Sequence, residues 1–359
     1  DLEKDSMTDA SRTPDAAPGE GVVVVTGAGG EMGHALVPWL LEQGRRVVAM
    51  DLRPPATPWP DGVVAATGDV RDRAFVASLA DLHGDRPVEA VFHLAAVLST
   101  AAERNPELAH EVNVLGTMNL LSLAAERGTP DRPPLFLLPS SIAVYGFDSL
   151  EAKRAAGAID EDGHLAARTI YGLGKSAAEE LGRYYATFFR QLDAGGARSA
   201  VDFRSIRFPG ILSADTVPSG GTSDYGPEML HAAAKGEVYR CFVRPDSRIP
   251  FMTMPDAIRA IEALAAAPAD ALSRRVYNVG AFAPSAEEIA ELVATHLPGA
   301  RIEYAPDAAR QAIVDSWPED VDDGAARRDW HWSPTHDAEG AFADYLAPRV
   351  IARYAATTS

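Results

Sequence analysis

Short apolar runs recur along the chain at residues 22–25, 47–50, 91–94, 135–138, 205–208 and 276–279, and longer amphipathic stretches separate them. The runs are rich in Val, Ile, Leu and Phe with little alternation, which is the pattern of strands buried on both faces. The intervening stretches at 33–43, 106–127, 171–190, 256–266 and 285–296, several with apolar residues three and four apart, as among Leu115, Leu120, Leu121 and Leu123, predict helices. Strand and helix in alternation predict an α/β protein: a Rossmann-type, doubly wound parallel sheet. After Phe208 the punctuation changes to Pro209-Gly210, Pro218-Ser219-Gly220-Gly221 and Gly226-Pro227, which marks loop-built structure. The expected organisation is a dinucleotide-binding domain over 21–208 plus 256–282 and a smaller, discontinuous substrate domain over 209–255 plus 283–346. Residues 1–20 and 347–359 lack the pattern and read as tails.

Composition narrows the function classes. A chain of 359 residues with 47% hydrophobic content can bury a full α/β core and a second unit. It has no apolar run long enough to span a bilayer, and a net charge of −18 opposes nucleic acid or an anionic membrane as partner. A cytoplasmic enzyme with a small-molecule substrate is expected. The single cysteine, Cys241, reads as packing, and His231, His331 and His336 lack metal-ligand spacing, so no metal is expected.

The first strand runs into Thr26-Gly27-Ala28-Gly29-Gly30-Glu31-Met32-Gly33 and then a helix. Gly27 permits a tight turn, Gly30 lets backbone approach a diphosphate and Gly33 lets the helix pack close to the strand. Asp51 ends the second strand eighteen residues after Gly33, where a carboxylate accepts from the adenosine ribose hydroxyls and repels a 2′-phosphate. This favours NAD, with Leu52 and Arg53 beside it; the Arg53 guanidinium tempers the preference. Asp69 and Val70 could border the adenine, and His93-Leu94-Ala95-Ala96 ends a strand in small residues along which a cofactor can lie. His93 itself reads as a structural group rather than a base.

Tyr171 and Lys175 stand four apart at a helix start and so share a face. A free tyrosine is only about a thousandth ionised at neutral pH. A neighbouring ammonium and a positive nicotinamide ring both favour the phenolate, which makes Tyr171 a candidate general base and Lys175 its partner and a ribose ligand. The strand end Pro139-Ser140-Ser141-Ile142-Ala143-Val144-Tyr145-Gly146 offers two hydroxyls where open α/β sheets bind ligands. Ser141 is the stronger candidate to fix the reacting oxygen, and Ser140 the weaker.

Together the glycine turn, Asp51, the serine strand end and Tyr-x-x-x-Lys resemble the extended short-chain dehydrogenase/reductase superfamily over roughly 22–345. The segments His93–Ser99, Arg207–Ser213, Gly221–Tyr225, Pro250–Ala257 and Asp315–Pro318 are similar, in order, to those of short-chain-type L-threonine 3-dehydrogenases. The resemblance implies NAD-dependent oxidation of the β-hydroxyl of L-threonine or a related β-hydroxy-α-amino acid. By it, Ser99, Ser140, Ser141, Tyr171, Thr222, Ser223 and Trp317 would line the substrate pocket. Glu31, Met32, Asn113, Phe208 and Pro209 would border the cofactor, and the enzyme would be a homodimer. The chain departs from that pattern at Ser223, at Gly226-Pro227 and in extra residues around 150–158 and 191–199. Two alternatives stay open: a nucleotide-sugar epimerase or dehydratase, with Arg240, Arg244 and Arg248 on offer to a diphosphate, and a non-catalytic NAD sensor.

Overall fold

The computed structural model describes residues 21–128, 132–193, 200–218 and 220–355. The tail expected at 1–20, most of the second extra segment and residues 356–359 lie outside them. Seven parallel strands form one sheet, in the order Val276–Asn278, Asp202–Phe208, Leu135–Ser141, Val88–His93, Val22–Thr26, Arg46–Asp51 and Val63–Thr67. The direction of chain winding reverses between Val22–Thr26 and Val88–His93, which opens a crevice at the carboxyl ends of these two strands.

The first strand shows how residue pattern becomes layers. All five of its residues are buried. Val23 and Val25 pack with Leu36, Val37 and Leu40 of the helix Glu31–Glu42, and with Ile258 and Ile261 of the helix Met254–Ala266. Val22 and Val24 point the other way, onto Leu120, Leu121 and Phe136. A third apolar cluster, containing Tyr145, Tyr225, Phe251, Trp317 and Tyr345, lies beyond the carboxyl ends of the strands and builds the other half of the protein.

Val63–Thr67 is an edge strand, and its residues are partly or largely exposed. Two expectations are revised. The helix expected over 106–127 is three consecutive pieces, Pro106–His110, a π-helical turn at Glu111–Gly116 and Thr117–Arg127. The stretch read as a C-terminal tail from 347 is a helix, Ala347–Ala355, with Ala347 and Val350 buried. Its Arg349 pairs with Asp215 at 2.9 Å, and Arg353 donates to the Asp215 carbonyl at 2.8 Å. One ion pair and one hydrogen bond to a residue remote in the chain complete its docking.

One buried charge pair ties the sheet to the helix Ile170–Thr187. Arg207, 1% exposed, donates from Nε to Glu179 Oε1 at 2.9 Å and from a terminal nitrogen to Glu179 Oε2 at 2.6 Å. Its other terminal nitrogen reaches the Tyr145 hydroxyl at 2.9 Å and the Glu161 carbonyl at 2.7 Å. Tyr145 in turn donates to Asn278 Oδ1 at 2.7 Å, which links in the edge strand. Removing one partner of a sealed pair strands the other charge, at a cost of about 3–5 kcal/mol. Glu179→Ala is therefore expected to lower the unfolding free energy by about that amount, read as a shift of the urea midpoint. A midpoint within error of the wild type would contradict it.

Candidate active site

The glycine turn has the shape a dinucleotide needs. Gly27 sits at φ +68°, and a Cβ there would lie 2.7 Å from the Ala95 nitrogen. A Cβ on Gly33 would lie 2.4 Å from the Ala28 carbonyl oxygen, so the helix can approach the strand only with glycine at that position. The helix Glu31–Glu42 starts at Gly30 with no side-chain cap, leaving its first N–H groups to an incoming anion. Asp51 accepts from the Gly29 N–H at 3.0 Å and the Arg53 N–H at 3.2 Å, which holds its carboxylate beside the turn. With Ala28, Arg53, Pro55, Trp59 and Ala66 it outlines a small recess, while Leu52 points into solvent. These residues fit an adenosine and its diphosphate.

The side chains of other candidates are tied to the protein itself. Both Glu31 carboxylate oxygens are held from across the crevice, one by the Ser213 hydroxyl and the other by Thr216 at 2.9 Å. Met32 packs into the apolar cluster under the turn. Asp69 is bound by Arg71 at 2.7 Å, a bond that holds its carboxyl below the usual range, and Val70 is buried against Gly116. The His93 imidazole is enclosed between the Thr26 hydroxyl at 2.7 Å and the Thr117 hydroxyl at 3.1 Å, and burial pushes it down to about 3. It is a neutral strut, and only the backbone of Leu94, Ala95 and Ala96 is left to face the crevice. Asn113, in the π-helical turn, clamps that segment through both bonds to Val97, at 2.8 and 2.9 Å.

Ser141, Tyr171 and Lys175 converge. The Ser141 hydroxyl caps the turn Ile142–Val144 by accepting from Ala143 at 3.2 Å, and it acts to lower the neighbouring Tyr171 phenol. Thr169 caps the helix Ile170–Thr187 and so sets where Tyr171 begins it. Gly172 makes the approach possible, since a Cβ there would sit 2.0 Å from the Ala143 carbonyl oxygen. Burial pushes the Tyr171 phenol up to about 12, against the opposing effect of the Ser141 hydroxyl. Burial pushes the Lys175 ammonium down to about 8, against the attraction of Glu179. Lys175 Nζ donates to the Pro139 carbonyl at 2.6 Å and lies 5.7 Å from the centre of the Tyr171 ring.

Ser140 does not join them. Only 3% exposed, its hydroxyl donates to Glu179 Oε1 at 2.5 Å, because alternate residues of a strand face opposite ways. The expectation that it contacts substrate is therefore corrected to a place in the Glu179–Arg207 network. That network escaped the sequence reading; its one visible signal was Glu179, four residues after Lys175 on the same helix face.

The remaining candidates sit around the mouth. Ser99 opens the helix Ser99–Arg104, and its neighbour Thr100 donates to the Gly220 carbonyl at 3.0 Å, which brings the loop of Thr222 and Ser223 alongside. Thr222 is buried, and Ser223 packs against Gly210, directly after Phe208 and Pro209. Trp317 lies in the same apolar cluster as Tyr145 and Val144, against which Tyr171 packs. The arginines available to a second diphosphate are engaged elsewhere. Arg244 grips Asp315 with two bonds of 2.9 Å, Arg248 pairs with Glu288 at 2.9 Å, and Arg240 lies 3.4 Å from Glu303.

Residues 23–280 match the NAD dependent epimerase/dehydratase family. The chain is 36% identical to the mitochondrial L-threonine 3-dehydrogenase of Bos taurus over 321 residues, covering 88% of this chain and 79% of the bovine protein. Among solved structures it is similar to the holo form of a GalE-like L-threonine dehydrogenase from Cupriavidus necator. That pair has a TM-score of 0.78 and 34% identity, with 91% of this chain and 99% of that one covered. It is equally similar, at a TM-score of 0.78 and 34% identity, to a monomeric L-threonine 3-dehydrogenase from a metagenome, with coverage of 94% and 100%.

Losing a hydrogen bond to a charged group costs about 1.5–3 kcal/mol, or roughly tenfold to a hundredfold in affinity. Asp51→Ala is expected to weaken NAD binding by about that factor and to narrow the margin over NADP, as measured by calorimetric titration with each dinucleotide. An unchanged NAD affinity would show that Asp51 does not meet the ribose.

Proposed function

The chain belongs to the NAD-dependent epimerase/dehydratase family, and within it we propose that it oxidises the β-hydroxyl of L-threonine, or of a closely related β-hydroxy-α-amino acid, with NAD. The observation that carries this reading is the convergence of Ser141, Tyr171 and Lys175 at the strand ends, with Lys175 Nζ held on the Pro139 carbonyl and 5.7 Å from the centre of the Tyr171 ring.

In this reading Ser141 holds the substrate hydroxyl and Tyr171 takes its proton. The chemistry supplied by bound NAD is hydride acceptance, together with a positive ring charge that favours a phenolate at Tyr171. Lys175, anchored at the Pro139 carbonyl and kept charged in part by Glu179, adds a second positive charge on the same side and reaches the nicotinamide ribose. Ser99, Thr222 and Ser223 supply hydroxyls to the amino-acid end of the substrate. Phe208 and Pro209 wall off the nicotinamide, and burial of the tyrosine keeps water from competing for the proton.

The expected homodimer has support in the apolar side chains of Leu115, Met118 and Leu173, which are exposed on the helical segments 106–127 and 170–187. Against it stands the similar metagenomic enzyme, described as monomeric. No helix among the described residues is long and apolar enough to cross a membrane. The bovine relative is mitochondrial, so the likeness does not carry a cytoplasmic location to this chain.

Purified protein with NAD and L-threonine is expected to generate NADH, and Tyr171→Phe is expected to lower kcat by about a hundredfold or more while NAD affinity stays within twofold. NADH absorbance reports the first and fluorescence titration the second. A Tyr171→Phe variant with near wild-type turnover would remove Tyr171 from the chemistry.

A further inference from the structure

The segment that follows the serine strand is stitched to the segment carrying Trp317 at three levels. Phe147 N–H donates to the Ser316 carbonyl at 3.1 Å. Lys153 Nζ, from the helix Leu150–Ala156, donates to the Val314 carbonyl at 3.0 Å. Ala158 and Ile159 pair in parallel with Asp320 and Val321, and Asp322 N–H closes onto the Ile159 carbonyl at 2.8 Å. Trp317 lies between these stitches, and its own N–H donates to Val314 O at 3.2 Å. The carbonyl that receives the Lys153 ammonium is thus also the one that shapes the turn into Trp317.

Two features are costly unless they have a use. Lys153 is 1% exposed, and withdrawing an ammonium from water costs several kcal/mol, where a methionine would fill similar space without that penalty. Trp317 is 5% exposed, and its indole N–H has no hydrogen-bond partner, a deficit of about 1–3 kcal/mol. The charges around Lys153 do not explain its position. Asp315 and Glu319 attract it while Arg244 and Arg154 repel it. Asp315 is already taken by Arg244 and by Gln311, the latter at 2.8 Å, and Arg154 binds Asp246 at 2.5 Å.

We infer that Lys153 is a positioning residue for substrate recognition. From beneath the turn 314–317 it fixes the Trp317 indole N–H as the donor to an acceptor oxygen on the substrate, the carboxylate of an amino acid. The inference rests on the reading of the Tyr171 pocket given above. Burial pushes the Lys153 ammonium down to about 8, so the strut weakens on the alkaline side.

The test uses the full chain labelled with 5-fluorotryptophan, with the Trp317 fluorine signal assigned by Trp317→Phe. In the wild type that signal is expected to titrate with a midpoint near pH 8. With NAD bound it is expected to shift on adding L-threonine. In Lys153→Met the titration disappears and KM for L-threonine rises about tenfold, with kcat and NAD affinity within twofold. Lys175 also lies near 8, but a titration it caused would survive in Lys153→Met. If Lys153→Met does not fold, Lys153→Gln keeps a donor to Val314 O without the charge, and is expected to lose the titration while retaining most of the affinity.

A Trp317 signal that neither titrates nor moves in these variants, or a Lys153→Met enzyme with wild-type KM, overturns the inference. A wild type that makes no NADH from L-threonine yet shows the Lys153-dependent titration refutes the threonine reading and keeps the coupling of Lys153 to Trp317.

Discussion

A guanidinium sealed from water must be surrounded by acceptors, and at Arg207 those acceptors come from the helix that carries Tyr171 and Lys175 and from the segment that leaves the serine strand. Glu179 belongs to the helix that begins with Tyr171 and Lys175, and it also holds Ser140 of the serine strand. Tyr145 and the Glu161 carbonyl belong to the segment leaving that strand, and Asn278 brings in the sheet edge. The Arg207–Glu179 pair fixes the axial position of the helix against the strand ends, and with it the distance from Tyr171 to Ser141. The alternation of a strand then divides the labour of two adjacent hydroxyls. Ser140 turns into this network and Ser141 turns out toward the crevice.

The parts of the fold and site that were legible in the sequence depend on local chemistry. The glycine turn was readable because Gly27 and Gly33 occupy positions where any Cβ collides with backbone. Tyr171 and Lys175 were readable from helical spacing, and the buried strands from unbroken apolar runs. What escaped depends on partners remote in the chain. The fate of Ser140 is decided by Glu179, and the docking of the last helix by Asp215, which is more than a hundred residues away in sequence. His93 was read as a structural group, and the two threonines that enclose it supply the reason. Lys153 gave no local sign of being buried, because its burial is made by the segment 314–321.

The nucleotide half supplies a rigid glycine turn and an uncapped helix start, features set by backbone sterics. The other half supplies hydroxyls on loops, pinned by bonds such as Thr100 to Gly220 and Arg310 to Gly221 at 2.7 Å. In the proposed reading the first kind of feature holds the cofactor and the second bears on substrate choice. This division is consistent with one family scaffold serving both dehydrogenases and epimerases.

In the proposed reaction, hydrogen leaves the substrate's β-carbon for the cofactor and does not return. The most direct measurement uses L-threonine deuterated at that carbon, with mass spectrometry of the dinucleotide and amino acid after turnover. The account predicts deuterium in NADH, released in proportion to threonine consumed, and a slower rate than with the protiated substrate. Unlabelled dinucleotide, with deuterium retained in threonine or its β-epimer, would contradict it.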